Sequence, residues 1–232
     1  MIMNIRGNEM KEKNKGERTK LSLIEAGIEL FGEHGFTATG TRMIAEKAGA
    51  NISAIQYYFG GKEGLYRAAV VHIAESIGGY INPLAAEIRK EFEKSAAGRE
   101  VAAVCIKKAV TGLMNMMIKS EGPRRWSLII LREQAKPTAA FDILYESVMK
   151  EAHGLLSRII AAGTGIEPDS AEAHLRAHAV IGSVLVFLSA RETALRRLGT
   201  DDYTEEHLRL LDMLLPAMAV STLDAEIYGT EP

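Results

Sequence analysis

Asn51, Ser53 and Gln56 carry amide and hydroxyl groups that both donate and accept hydrogen bonds, and Tyr57, Tyr58 and Lys62 add two phenols and a cation directly after them. Together these groups suit recognition of a polar, anionic surface. A glutamine amide offers the donor–acceptor fork that matches an adenine edge. Hydroxyls and cations bind phosphate oxygens and so position a protein on a nucleic acid without reading its sequence. Lys62 stands where a helix should start, and exposed backbone N–H groups there already favour anions. Thr41 and Arg42 open an earlier helical segment and make a second phosphate-binding pair.

The elements that must hold these groups are legible in TRMIAEKAGANISAIQYYFGGK, residues 41–62. Thr41 can cap a first short helix, and Met43, Ile44 and Ala48 give it an apolar face. Gly49 is placed to end that helix, because glycine takes the left-handed conformation without a Cβ clash. Asn51 and Ser53 can start a second helix of about two turns. Ile55 and Phe59 are expected to pack inward, Phe59 as a core residue, while the polar groups face out. Two short helices around a glycine turn form a helix-turn-helix, whose second helix fits the DNA major groove.

At this point the residues resemble a known family. LSLIEAGIELFGEHGFTATGTRMIA and IQYYFGGKEGLYRAA, spanning roughly 50 residues from near Thr19 to about Ala69, resemble the DNA-binding domain of TetR-family transcriptional regulators. The matching parts run in family order: Phe31, Gly35-Phe36, Thr39, Ile44-Ala45, Ala48-Gly49, Tyr57-Tyr58-Phe59 and Lys62-Glu63-Gly64-Leu65. The resemblance implies that Tyr57 and Tyr58 touch phosphate or groove. Many members carry tyrosine where this chain has Gln56, a departure that bears on base preference. Further on, LREQAKPTAAFDILYE and ARETALRRLG are similar to the effector domain of the CecR-type subgroup. That implies a ligand-responsive repressor with double-stranded DNA, a small-molecule effector and a second copy of itself as partners.

Composition sets the frame. With 47% hydrophobic and 6% aromatic residues and only 6 prolines, the chain suits an aliphatic helical protein, and its net charge of −2 leaves DNA binding to a local surface. An all-α fold is expected: residues 1–16 a flexible arm, 17–66 a three-helix helix-turn-helix domain, 67–232 a larger ligand-binding and dimerisation domain. The arm's cations, Arg6, Lys11, Lys13 and Lys15, suit either a DNA contact or a solvated leader. Helices are expected from Lys62 to Gly78-Gly79, from Asn82-Pro83 to Gly98, over 101–119 and 126–134, from Thr138 to Gly163, from Ser170 to Leu198, and over 204–228. The apolar run Ala177–Ala190 is too short to span a bilayer, and the N-terminus has no signal-peptide run, so no membrane association and a cytoplasmic location are expected.

Within the larger domain, Met114, Met117, Trp126, Phe141 and Tyr145 combine adaptable and aromatic surface, with Arg132 and Gln134 as polar groups near them. They are the effector-binding candidates. Ala173, Ala177, Ile181, Val184 and Leu188, with Leu211, Leu214, Leu215 and Met218, form apolar faces suited to a dimer's four-helix bundle. His174 and His178 have metal-ligand spacing but lack a third ligand, so no metal site is expected, and no cofactor. The lone cysteine, Cys105, sits in an apolar helix as a buried thiol. With no phosphate-cradling glycine loop and no GxSxG elbow, an enzyme is not expected. A helical carrier of an apolar ligand would account for the larger domain but not for residues 41–62. An activator or a ligand-independent DNA-binding protein stays open within the regulator class.

Overall fold

The computed structural model describes the backbone of residues 2–94, 98–120 and 122–224; the side chains of residues 2–14 and of residue 94 lie outside that description. The regular elements among the described residues are helical: α1 (Ile2–Ala38), α2 (Thr41–Lys47), α3 (Ser53–Phe59), α4 (Lys62–Lys94), α5 (Arg99–Met117), α6 (Gly122–Ala135), α7 (Ala139–Leu144), a π-helical turn (Tyr145–Met149), α8 (Lys150–Thr164), α9 (Ala171–Ser189), α10 (Arg191–Leu198) and α11 (Glu205–Ser221). The all-α expectation holds. The expected arm is the start of α1, and the cations Arg6, Lys11 and Lys13 fall outside the described side chains.

Two compact units form, Met1–Glu75 with Arg125–Leu144 and Ser76–Arg124 with Tyr145–Pro232. The boundary expected near residue 66 thus falls inside the first unit. Most of α6 and all of α7, expected in the larger domain, belong with the helix-turn-helix. The first unit is built on Leu23, Phe31, Ile44, Ile55, Leu65, Ala69, Val70 and Ile73, all buried. Phe31, Phe36 and Tyr66 form an aromatic cluster with ring centroids 5.0–5.8 Å apart. Helical geometry in α1 breaks at Gly35, φ 79°, as its position implies.

Several expected boundaries shift. α4 runs unbroken through Gly78-Gly79 and Pro83. Proline there forgoes one helical N–H bond without ending the helix. Thr138 caps α7 by accepting from the Ala140 N–H at 3.1 Å, but the expected single helix is divided by the π-helical turn. Ser170 caps α9, accepting from Ala173 N–H at 3.2 Å, and the chain then breaks at Ala190, φ −111°, ψ 30°. The last expected helix ends at Ser221, and its continuation to residue 228 lies partly outside the described residues.

The second unit packs α5 against α8, α9 and α11. Ala102, Cys105, Ile106, Val110 and Met114 make the buried spine of α5, and burial raises the Cys105 thiol above its ordinary pKa. Asp202, held down to about 2 chiefly by a hydrogen bond from Arg124, fastens the turn between α10 and α11.

The expected dimer faces need correcting. Ala173, Ala177, Val184, Leu211 and Leu215 are buried within the unit's own core, and Ile181 and Leu188 are half-buried. Only Leu214 (54%) and Met218 (58%) are well exposed among the nine. The sequence stripes were real, but they mark the sides that face inward, on α9 toward α5 and α8 and on α11 toward α5 and α9. The free apolar surface is the neighbouring side: Leu175 and Val186 on α9, with Leu210, Met213, Leu214 and Met218 on α11. α9 is also longer than the run seen in sequence: its 19 residues are enough by length and composition to cross a bilayer, and only 22% of its most apolar stretch is buried.

Candidate nucleic-acid interface

α2 begins at Gly40, whose side-chain-free N-cap leaves Thr41 as the first helical residue; Thr41 does not cap, contrary to expectation. The buried face of α2 is Ile44 and Ala45, while Met43 is 41% exposed. At the other end Gly49, φ 61°, closes a double-bonded C-cap: Ala50 N–H donates to Ala45 O at 2.9 Å and Gly49 N–H to Glu46 O at 3.1 Å. The Asn51 carboxamide oxygen then accepts from Ser53 N–H at 2.9 Å and from the Ser53 hydroxyl at 2.8 Å, and this local turn launches α3.

α3 is anchored by Ile55, 2% exposed. Phe59, expected in the core, is half-buried at the end of the helix, where a seven-residue helix offers few positions that face inward. Gly60 and Gly61, φ 71° and 125°, turn the chain into α4 through a conformation that side chains resist. Gly64 makes the closest approach of all, since a Cβ there would lie 1.8 Å from the Phe59 carbonyl oxygen. The angle between α3 and α4 therefore depends on the absence of a side chain at one residue.

Ser53, Gln56 and Tyr57 on α3, with Asn51 in the turn before it, are exposed, Tyr57 by 82%. Arg42 is exposed on α2, whereas Lys47 is taken up by Glu29 at 2.5 Å. Three expected contacts sit differently. Thr41 is half-buried. Tyr58 is half-buried in a groove of about 440 Å³ with Lys20, Ile24, Arg67 and Val71. Lys62 lies 4.5 Å from the centre of the Phe36 ring and donates to Thr37 O at 3.4 Å, beside the segment that opens α2.

Reasoning from sequence missed the residues that brace this edge. Thr39, fully buried, places its hydroxyl 2.9 Å from Leu30 O and 2.8 Å from Gly35 O, and so ties the entry to α2 to the end of α1. Arg132 donates to Gly32 O at 3.3 Å and to Glu33 O at 3.2 Å, just before the break of α1 at Gly35. Glu133, 3% exposed, accepts from the Tyr66 hydroxyl at 2.6 Å and from Thr138 N–H at 3.0 Å. Burial, reinforced by that carboxylate, raises the Tyr66 pKa, so the phenol keeps the proton it donates. Such satisfaction is what a buried carboxylate requires. No local pattern could join Tyr66 to Glu133 across so much chain; only the polar run Arg132-Glu133-Gln134 hinted at it.

The effector candidates divide between the units. Met114 and Met117 on α5 are buried in the second, where Tyr145 is 43% exposed; Trp126, Arg132, Gln134 and Phe141 belong to the first.

Comparison with known proteins agrees with this architecture. Residues 23–69 match the family described as bacterial regulatory proteins, tetR family, and residues 102–225 match that described as HTH-type transcriptional dual regulator CecR, C-terminal domain. The HTH-type transcriptional dual regulator CecR of Shigella flexneri is 39% identical over 198 residues, covering 85% of this chain and 88% of its own length. RaaS of Mycobacterium tuberculosis, an HTH-type transcriptional regulatory protein, is 30% identical over 202 residues, 85% of this chain and 82% of its own. The fold is shared with the transcriptional regulator FadR of Bacillus subtilis, solved with stearoyl-CoA: TM-score 0.60 at 16% identity, over 87% of this chain and 98% of that one.

Proposed function

The chain belongs to the TetR family of transcriptional regulators, and from that premise we propose that it is a repressor, binding a near-palindromic operator as a homodimer and released by a small-molecule effector. Members of the family regulate transcription rather than catalyse reactions. The observation that carries the DNA-binding reading is the free edge of α3, Asn51, Ser53, Gln56 and Tyr57, with Arg42 exposed on the adjacent helix. In this reading α3 enters the major groove, and Gln56, with Asn51 and Ser53, meets base edges. Arg42, Thr41, Tyr57, Tyr58 and Lys62 hold phosphates and set the register.

These roles separate experimentally. Arg42→Ala should weaken every operator variant alike and lower the salt slope of binding by about one. Gln56→Ala should relax preference at one base position, a discrimination loss of ~1–3 kcal/mol, with little change in salt slope. Anisotropy titrations against a set of single-base operator variants would read both. Parent-like behaviour of the two proteins would remove α3 from the interface.

Effector release follows the same logic. A ligand in the second unit, contacting residues such as Met114, Met117 and Tyr145, must favour the DNA-incompetent state, and a coupling of ~1–3 kcal/mol lowers DNA affinity roughly 5–150-fold. The stearoyl-CoA held by the FadR neighbour supports a ligand site in this fold. A thermal-shift screen of metabolites and drugs, followed by operator release with each hit, tests it; hits that stabilise the protein yet leave operator affinity unchanged would exclude ligand control. Action in the cytoplasm follows from the DNA-binding role. A second reading, activation at some promoters, is favoured by one observation, that the 39% identical CecR relative is described as a dual regulator.

A further inference from the structure

The sequence paired His174 with His178 and found no third ligand. The fold supplies another imidazole from a different helix. His153 on α8 lies against α9 with its Nε2 3.4 Å from His178 Nδ1, the ring centroids 5.6 Å apart and the planes 27° from parallel. The other nitrogen of His153, Nδ1, is 2.8 Å from Met149 O. A carbonyl only accepts, so Nδ1 carries the proton and Nε2 presents its lone pair to His178. Burial, the largest influence on this ring, lowers its pKa and so favours the neutral form.

We propose that His153 Nε2 and His178 Nδ1 form a binding site for a borderline divalent transition-metal ion such as Zn²⁺. Two imidazole nitrogens at ~2.0–2.1 Å from a tetrahedral ion stand about 3.3 Å from each other, close to the separation observed. A backbone carbonyl fixing the tautomer of one ligand is the usual outer support of a metal-bound histidine. His178 is exposed, so its ring is free to turn and its proton to move to Nε2; neutral rings then bind without losing a proton. The ion would fasten α8 to α9. Among the described residues no ready group of three metal-ligating side chains is formed. The site is therefore two imidazoles with water completing the shell. His174, one turn before His178, is held by Ser157 Oγ at 3.1 Å through Nδ1 and is not one of the two ligands. All of these residues come from one chain, so the site does not depend on the DNA or dimer readings.

The test is a titration of the full chain, without an affinity tag, with Co²⁺ as a visible probe of coordination and Zn²⁺ by calorimetry. One ion per chain is expected, weakened about tenfold or more in His178→Ala and in His153→Gln. His34→Ala, on α1, and His207→Ala, on α11, should bind as the parent does. His178 is exposed, so its alanine variant folds even if the half-buried His153 does not tolerate change. Absence of binding by the parent, or equal binding by His178→Ala, would overturn the site.

Discussion

Replacing Gly64 by alanine should remove operator binding at concentrations where the parent is saturated, and should lower the melting temperature as well. The added Cβ would stand 1.8 Å from the Phe59 carbonyl oxygen, and backbone on both sides leaves no flexible side chain to yield. Either α3 tilts away from α4 or the first turn of α4 unwinds. Overpacking of this kind costs ~1–3 kcal/mol, at the upper end where backbone must move. Displacing α3 by even an ångström breaks the register of its exposed edge, so affinity should fall by more than the tenfold that each ~1.4 kcal/mol represents. Gly79→Ala is the matched control. Open space surrounds that helical glycine, and alanine there should stabilise by ~0.5–1 kcal/mol and leave DNA binding intact. Circular-dichroism melts and anisotropy on both variants decide the matter; a Gly64→Ala protein that melts and binds like the parent would show that the α3–α4 turn is not the constraint described.

The second large effect concerns assembly. Leu214 and Met218 are 54% and 58% exposed on α11, beside Met213 at 72% and Leu210 at 49%, and this is the apolar face proposed to meet a second copy. Introducing Leu214→Asp with Met218→Asp should therefore convert a particle of twice the 25.3 kDa chain mass into a monomer by light scattering. A monomer reads one half-site, and losing the second arm of a bivalent contact costs roughly 10²–10⁴ in operator affinity. The fold should survive, because the pair lies outside the core formed by Leu211, Leu215 and Ala219. A parent that already weighs 25.3 kDa at micromolar concentration would refute the dimer.

How far the sequence reached follows from the range of each interaction. Gly49, Gly60, Gly61 and the Asn51–Ser53 turn act over a few residues, and they marked the helix-turn-helix correctly. The exposed edge of α3 was legible for the same reason. Periodicity located the apolar stripes of α9 and α11 but could not say whether a stripe faces its own core or another chain; Ala177 and Leu215 face the core. Neighbouring positions misled in α2, where Ala45 rather than Met43 turns inward, because a two-turn helix has only one buried edge. Nothing local announces that residues 125–144 return to the first unit, that Glu133 finds Tyr66, or that His153 stands beside His178. Those pairings exist only once the chain has folded.

The exposed edge of α3 is proposed to read DNA sequence. Its most direct test is anisotropy binding of the full chain to fragments of the DNA upstream of its own gene, across a salt series and against unrelated DNA of equal length. Tight binding to one near-palindromic fragment and much weaker binding to unrelated DNA are expected, with log affinity falling linearly with log salt by about 0.9 per phosphate neutralised. Equal affinity for both DNAs, or binding indifferent to salt, would contradict it.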